Sequence, residues 1–87
     1  MKEKKLKIGE KYCLNELKIN SIAEIVELKT NNTLLRRRLL DLGLTKGVKL
    51  QVKKIAPLGD PVSFELRGYE LGLRREELKS IVVRLLR

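Results

Sequence analysis

Val62-Ser63-Phe64-Glu65-Leu66-Arg67-Gly68-Tyr69-Glu70-Leu71-Gly72-Leu73 reads as two strands folded back on each other. Val62, Phe64 and Leu66 alternate with Ser63, Glu65 and Arg67, and after Gly68 the alternation resumes as Tyr69, Leu71 and Leu73. Successive side chains of a strand point to opposite faces, so each apolar set lies on one face. A two-residue turn at Arg67-Gly68 sets Leu66 opposite Tyr69, Phe64 opposite Leu71 and Val62 opposite Leu73. Turn length and alternation then agree, and all six side chains reach the same face. This predicts a mainly β protein.

Upstream, Ala56-Pro57-Leu58-Gly59-Asp60-Pro61 is a turn whose two prolines and glycine exclude regular structure, and Pro61 can open the following strand. Before it, Val48, Leu50 and Val52 alternate with Lys49, Gln51 and Lys53, and the phase slips at Lys53-Lys54 before Ile55, the mark of a bulge. Earlier still, Leu34, Leu35, Leu39 and Leu42 share one face of a helix while Arg36, Arg37 and Asp41 point away. Gly43 suits the left-handed position that ends a helix, which folds Leu44 back on Leu39, and Gly47 opens the next turn. Asn31-Asn32-Thr33 offers helix N-caps.

Ile22 to Leu28 is expected as the first strand, after a turn at Asn20-Ser21 that puts Asn20 in a left-handed conformation. Tyr12 to Leu17 is expected as a short helical turn docked beside the sheet, Arg75 to Leu78 as one helical turn, and Ile81 to Leu85 as the closing strand. Residues 1–11 read as a basic arm, mobile at its start, and residues 12–87 as one domain.

Leu39 to Gly47, the turn at 56 to 61, and Arg67-Gly68-Tyr69-Glu70-Leu71-Gly72-Leu73-Arg74 together resemble the ferrous iron transport protein A (FeoA) family, over roughly residues 14 to 85. Leu39, Leu42, Gly43, Gly47, Gly68 and Tyr69 are the structural positions of that resemblance. It implies an SH3-like barrel of about five strands with one short inserted α-helix. It also implies a cytoplasmic accessory or regulatory role in bacterial ferrous iron uptake, exercised on the membrane permease FeoB. The family commonly has glycine at the place of Asn20.

The chain has 87 residues, a net charge of +9, a pI near 10.0 and one cysteine. No disulfide can staple so small a core, and Cys13 fits a reducing compartment as a small buried hydrophobe. No apolar run is long enough for a membrane span, so contact with a membrane is expected only through the partner. Charge concentrates in residues 1–11, net +3, and residues 36–54, net +6.

Without histidine the usual nucleophilic triads have no base, and no phosphate-binding glycine loop is present, so an enzyme is not expected. No metal or cofactor is expected either: Asp60 and Glu70 are carboxylates without imidazole or a second thiol beside them, and read as a turn cap and a strand-surface residue. Arg36, Arg37 and Arg38 with Lys46, Lys49, Lys53 and Lys54 could meet phosphates. Three aromatics in all, with Phe64 and Tyr69 given to the core, argue against a nucleic-acid interface. An interaction module like the carboxy-terminal domain of iron-dependent repressors is the other alternative. The reading preferred is a binding module whose partner surface comprises Arg36, Arg37, Leu40, Leu58, Gly59 and Asp60, assigned from exposure and charge. A homo-oligomer is left open, as is the sense of any regulation.

Overall fold

The structure, a computed structural model, describes residues 5–87. The mobile start expected for the arm lies at residues 1–4, outside the described residues. Six strands form one antiparallel sheet: β1 (Lys11–Cys13), β2 (Ile22–Leu28), β3 (Lys49–Ile55), β4 (Val62–Leu66), β5 (Tyr69–Leu73) and β6 (Ile81–Leu85). Their spatial order is β1-β6-β2-β3-β4-β5. Helix α1 (Thr33–Asp41) is inserted after β2, α2 (Arg75–Leu78) joins β5 to β6, and a 3-10 turn at Leu14–Glu16 follows β1.

The hairpin has the register its turn length requires, with Leu66 opposite Tyr69, Phe64 opposite Leu71 and Val62 opposite Leu73. Arg67 and Gly68 take φ of +49° and +83°, the two left-handed positions of a type I′ turn. Val62, Phe64, Leu66 and Leu73 are buried and Leu71 partly so, but Tyr69 is 42% exposed. It stands at the turn end of β5, an edge strand with β4 as its one strand neighbour among the described residues.

Two bulges set the phase of the core. Pairing shifts between Val52 and Lys54, where the alternation breaks, and Ile55 returns toward the core. A second shift, between Ile25 and Glu27 on β2, explains why Ala23 and Ile25 are buried and the next buried position is Leu28.

Helix α1 starts at Asn32, whose side chain accepts the Leu35 N–H at 3.0 Å. It stops at Gly43, φ +95°: the Gly43 N–H donates to Leu40 O and the Leu44 N–H to Leu39 O, the paired bonds of a Schellman motif. Leu39 and Leu44 are fully buried against each other's turn, and Leu35 and Leu42 are partly buried. Leu34 is not on this face. It is 80% exposed, because at roughly 100° per residue it lies about 100° from the centre of the arc carrying Leu35, Leu39 and Leu42.

The segment expected as a helical turn from Tyr12 to Leu17 instead begins as strand: Lys11, Tyr12 and Cys13 pair with Arg84, Val83 and Val82 of β6. Only Leu14–Glu16 is helical, and it delivers Leu14 and Leu17 to the core. β1 is thus a sixth strand, and Cys13 is half-buried on it rather than inside. Asn20, φ +75°, sits in the expected turn and its N–H donates to Val52 O.

Candidate functional site

Arg36, Arg37 and Leu40 come together on the outer side of α1, where with Thr33 and Asp41 they line a shallow groove of ≈ 370 Å³. Their roles differ. The Arg36 guanidinium reaches back to the β2–α1 connection, donating to Leu28 O at 3.0 Å and Thr30 O at 2.6 Å. It holds the helix onto the sheet and forms one wall of the groove, where sequence reading gave it to solvent. Arg37 and Leu40 remain exposed, Leu40 at 43%. An apolar side chain beside a guanidinium without a partner among the described residues is the chemistry of a contact patch for an apolar segment with acidic flanks.

Leu58, at the tip of the 56–61 turn, is 97% exposed. Gly59 and Asp60 face inward to α2: the Arg75 Nε–H donates to Gly59 O, the Arg75 backbone N–H to Asp60 Oδ1 at 2.9 Å, and Arg74 Nη1 lies 3.9 Å from Asp60 Oδ2. Arg75 Nη1 also donates to Asn15 O at 3.2 Å, so one guanidinium ties this turn to the 3-10 turn beyond β1. Asp60 is therefore a turn-capping carboxylate, the ordinary reading of it. Glu70 is exposed on β5, and among the described residues no three His, Cys, Asp or Glu side chains cluster as a metal site.

The two halves of the expected partner surface lie on different flanks of α1. Arg38 joins α1 to α2 through Glu77, and Arg38 is roughly 160° around the helix from Leu40. Other cations are also engaged: Lys53 stands 3.6 Å from Glu65, so Arg36, Arg38 and Lys53 of the basic run have partners within the domain. Sequence reasoning missed Arg75, whose only signal was its place after the second strand of the hairpin. It also missed Leu34, an exposed apolar side chain on the same helix as Arg37.

Tyr69 closes the far end of α1. Its hydroxyl donates to Leu42 O, the carbonyl left open where the helix stops. A Cβ on Gly43 would lie 2.7 Å from that hydroxyl oxygen. Gly43, Leu42 and Tyr69, quoted separately as motif residues, thus form one contact.

A curled antiparallel sheet around one core, with a capped helix between β2 and β3 and an exposed groove along it, defines a small SH3-like domain. The chain belongs to the FeoA domain family, whose model matches residues 12–85. It is 36% identical over 73 residues to an Fe(2+) transport protein A/Fe(2+) transporter FeoB fusion protein of Porphyromonas gingivalis, a match covering 84% of this chain and 8% of that one. It superposes on the solution structure of the FeoA protein from Chlorobium tepidum with a TM-score of 0.80 and 42% identity, covering 87% of this chain and 71% of that one. FeoA of Stenotrophomonas maltophilia, an SH3 domain protein solved in complex with zinc, gives 0.70 and 29%, covering 80% and 86%. A manganese-dependent transcriptional repressor reaches 0.82 at 14% identity over 87% of this chain and 37% of that one, a likeness of fold alone.

Proposed function

We propose that this chain is a cytoplasmic accessory protein of ferrous iron uptake that docks on the cytoplasmic portion of a FeoB-type permease. One observation carries the reading: in the Porphyromonas gingivalis fusion protein a segment 36% identical to this chain is part of the same polypeptide as a FeoB transporter. Covalent linkage holds two modules at high effective concentration, which is useful where they work in contact. This domain would supply its side of that contact from its own surface.

The groove on α1 is the surface offered for it. Leu40 is the apolar centre, Arg37 supplies an exposed cation at its rim, and Arg36 fixes the helix that presents them. Leu58 is a second exposed anchor away from this groove, with Gly59 and Asp60 as its support. The protein acts here by binding rather than catalysis, with iron as the transporter's cargo. In a titration of the full chain against the permease's soluble GTP-binding portion, Leu40→Asp should weaken binding tenfold or more, of order the loss of one buried apolar anchor. The thermal midpoint should stay that of the parent. Unchanged affinity would sink the assignment of this groove.

A further inference from the structure

The sheet ends at β5, and its free edge has a specific register. In an antiparallel ladder, hydrogen-bonded and non-bonded pairs alternate. A two-residue turn makes Leu66–Tyr69 a bonded pair, so Phe64–Leu71 and Val62–Leu73 are bonded too, and Glu70 and Gly72 are not. Their N–H and C=O groups point away from β4, along the open edge. Both residues are exposed, and Gly72 has nothing within 4 Å of where a Cβ would stand. Proteins usually guard such an edge with a proline, an inward charge or a covering loop. Here one of the two outward-pointing positions of the edge is a glycine.

We propose that the β5 edge pairs with the β5 edge of a second copy of this chain, antiparallel about a two-fold axis at Leu71. Three features of the register favour self-pairing. The outward groups of Glu70 fall opposite those of the partner copy's Gly72 and the reverse, so both pairs are of the bonded kind. Each Glu70 carboxylate then faces a glycine rather than directly facing a like charge, and the other copy's exposed Arg74 and Glu70 occupy the two diagonals beside that glycine. On the opposite face the half-buried Leu71 meets its own twin, and Tyr69, left 42% exposed within one chain, lies opposite Leu73. The pairing uses none of the groove residues Arg36, Arg37 and Leu40, and it stands independently of the proposed docking.

The full chain is examined by sedimentation velocity over a wide concentration range at low and high salt, beside Gly72→Pro. Proline removes the outward N–H and places its ring on the edge, yet breaks no bond to β4. The wild type should form a dimer that tightens as salt is raised, because each copy carries +9 and screening relieves the repulsion between them. Gly72→Pro should associate roughly tenfold or more weakly, having lost an edge hydrogen bond from each copy. Amide exchange of the wild type supplies a measurement free of any variant: protection at Glu70 and Gly72 should rise with protein concentration. A wild type that stays monomeric, a folded Gly72→Pro protein that dimerises equally well, or exchange at these two amides that ignores concentration would overturn the proposal.

Discussion

Replacing Gly43 with alanine tests the contact between the helix stop and the hairpin. The backbone there has φ +95°, which an L-residue with a Cβ occupies at a cost of about 1–2 kcal/mol. The added methyl would also sit 2.7 Å from the Tyr69 hydroxyl oxygen, so the ring has to move and its hydrogen bond to Leu42 O is lost. That bond contributes about 1 kcal/mol. The single variant should therefore lose about 2–3 kcal/mol in urea unfolding, a fall in thermal midpoint of roughly 8–24 °C for a domain of this size. Tyr69→Phe alone should lose only the hydrogen bond, about 1 kcal/mol. Combined, the two should cost no more than Gly43→Ala alone, because without the hydroxyl the nearest ring atom, Cζ, is 3.9 Å from the new methyl. The cycle thus predicts a coupling of about 1 kcal/mol between positions 43 and 69. Additive losses would refute the contact and leave Gly43 a requirement of backbone conformation only.

Leu39→Ala should destabilise by about 2–5 kcal/mol through the cavity left at a fully buried site, while Leu34→Ala should change stability by less than about 0.5 kcal/mol; chemical denaturation of the pair separates the two faces of α1. Arg67→Asn should raise stability by about 0.5 kcal/mol, since asparagine tolerates φ +49° in a type I′ turn better than arginine, and an unchanged or lower thermal midpoint would contradict the turn assignment. Arg75→Ala should cost about 2–3 kcal/mol by removing a charged donor from the Gly59 and Asn15 carbonyls. Arg75→Lys should restore little of it, because a single ammonium cannot reproduce the fork, and denaturation curves for the two variants check this.

The hairpin, the helix stop and the β3 bulge were legible because each is set by residues close in the chain: a turn of fixed length, a glycine after a leucine stripe, one break in an alternation. β1 was not. Lys11-Tyr12-Cys13 is too short to show a period, and its only partner among the described residues, β6, lies some seventy positions away. Leu34 was misplaced because the helical wheel gives relative angles, and only the sheet beneath decides which arc is inward. Tyr69 fits the alternation of its strand but belongs to an edge, a property of topology rather than of pattern. The basic run looked like one solvated face; in the structure Arg36 binds backbone carbonyls and Arg38 and Lys53 meet carboxylates. Of the partner surface, the outward placement of Leu40 and Arg37 could be read from the helical wheel. The inward turn of Asp60 depended on Arg75, which nothing local singled out.

β6 follows every other strand in the chain yet lies between β1 and β2, hydrogen-bonded to both. During synthesis, β2 to β5 can form a meander as they emerge, but β1 has nothing to pair with and β2 keeps a bare edge. The core also lacks Ile81, Val83 and Leu85, all of them buried. At about 5–20 residues per second, the end of β6 at Leu85 is synthesised roughly 0.6–2.4 s after the end of β5 at Leu73. A chain cut before Ile81 would lack the strand that pairs with both β1 and β2, leaving a bare sheet edge available to other chains.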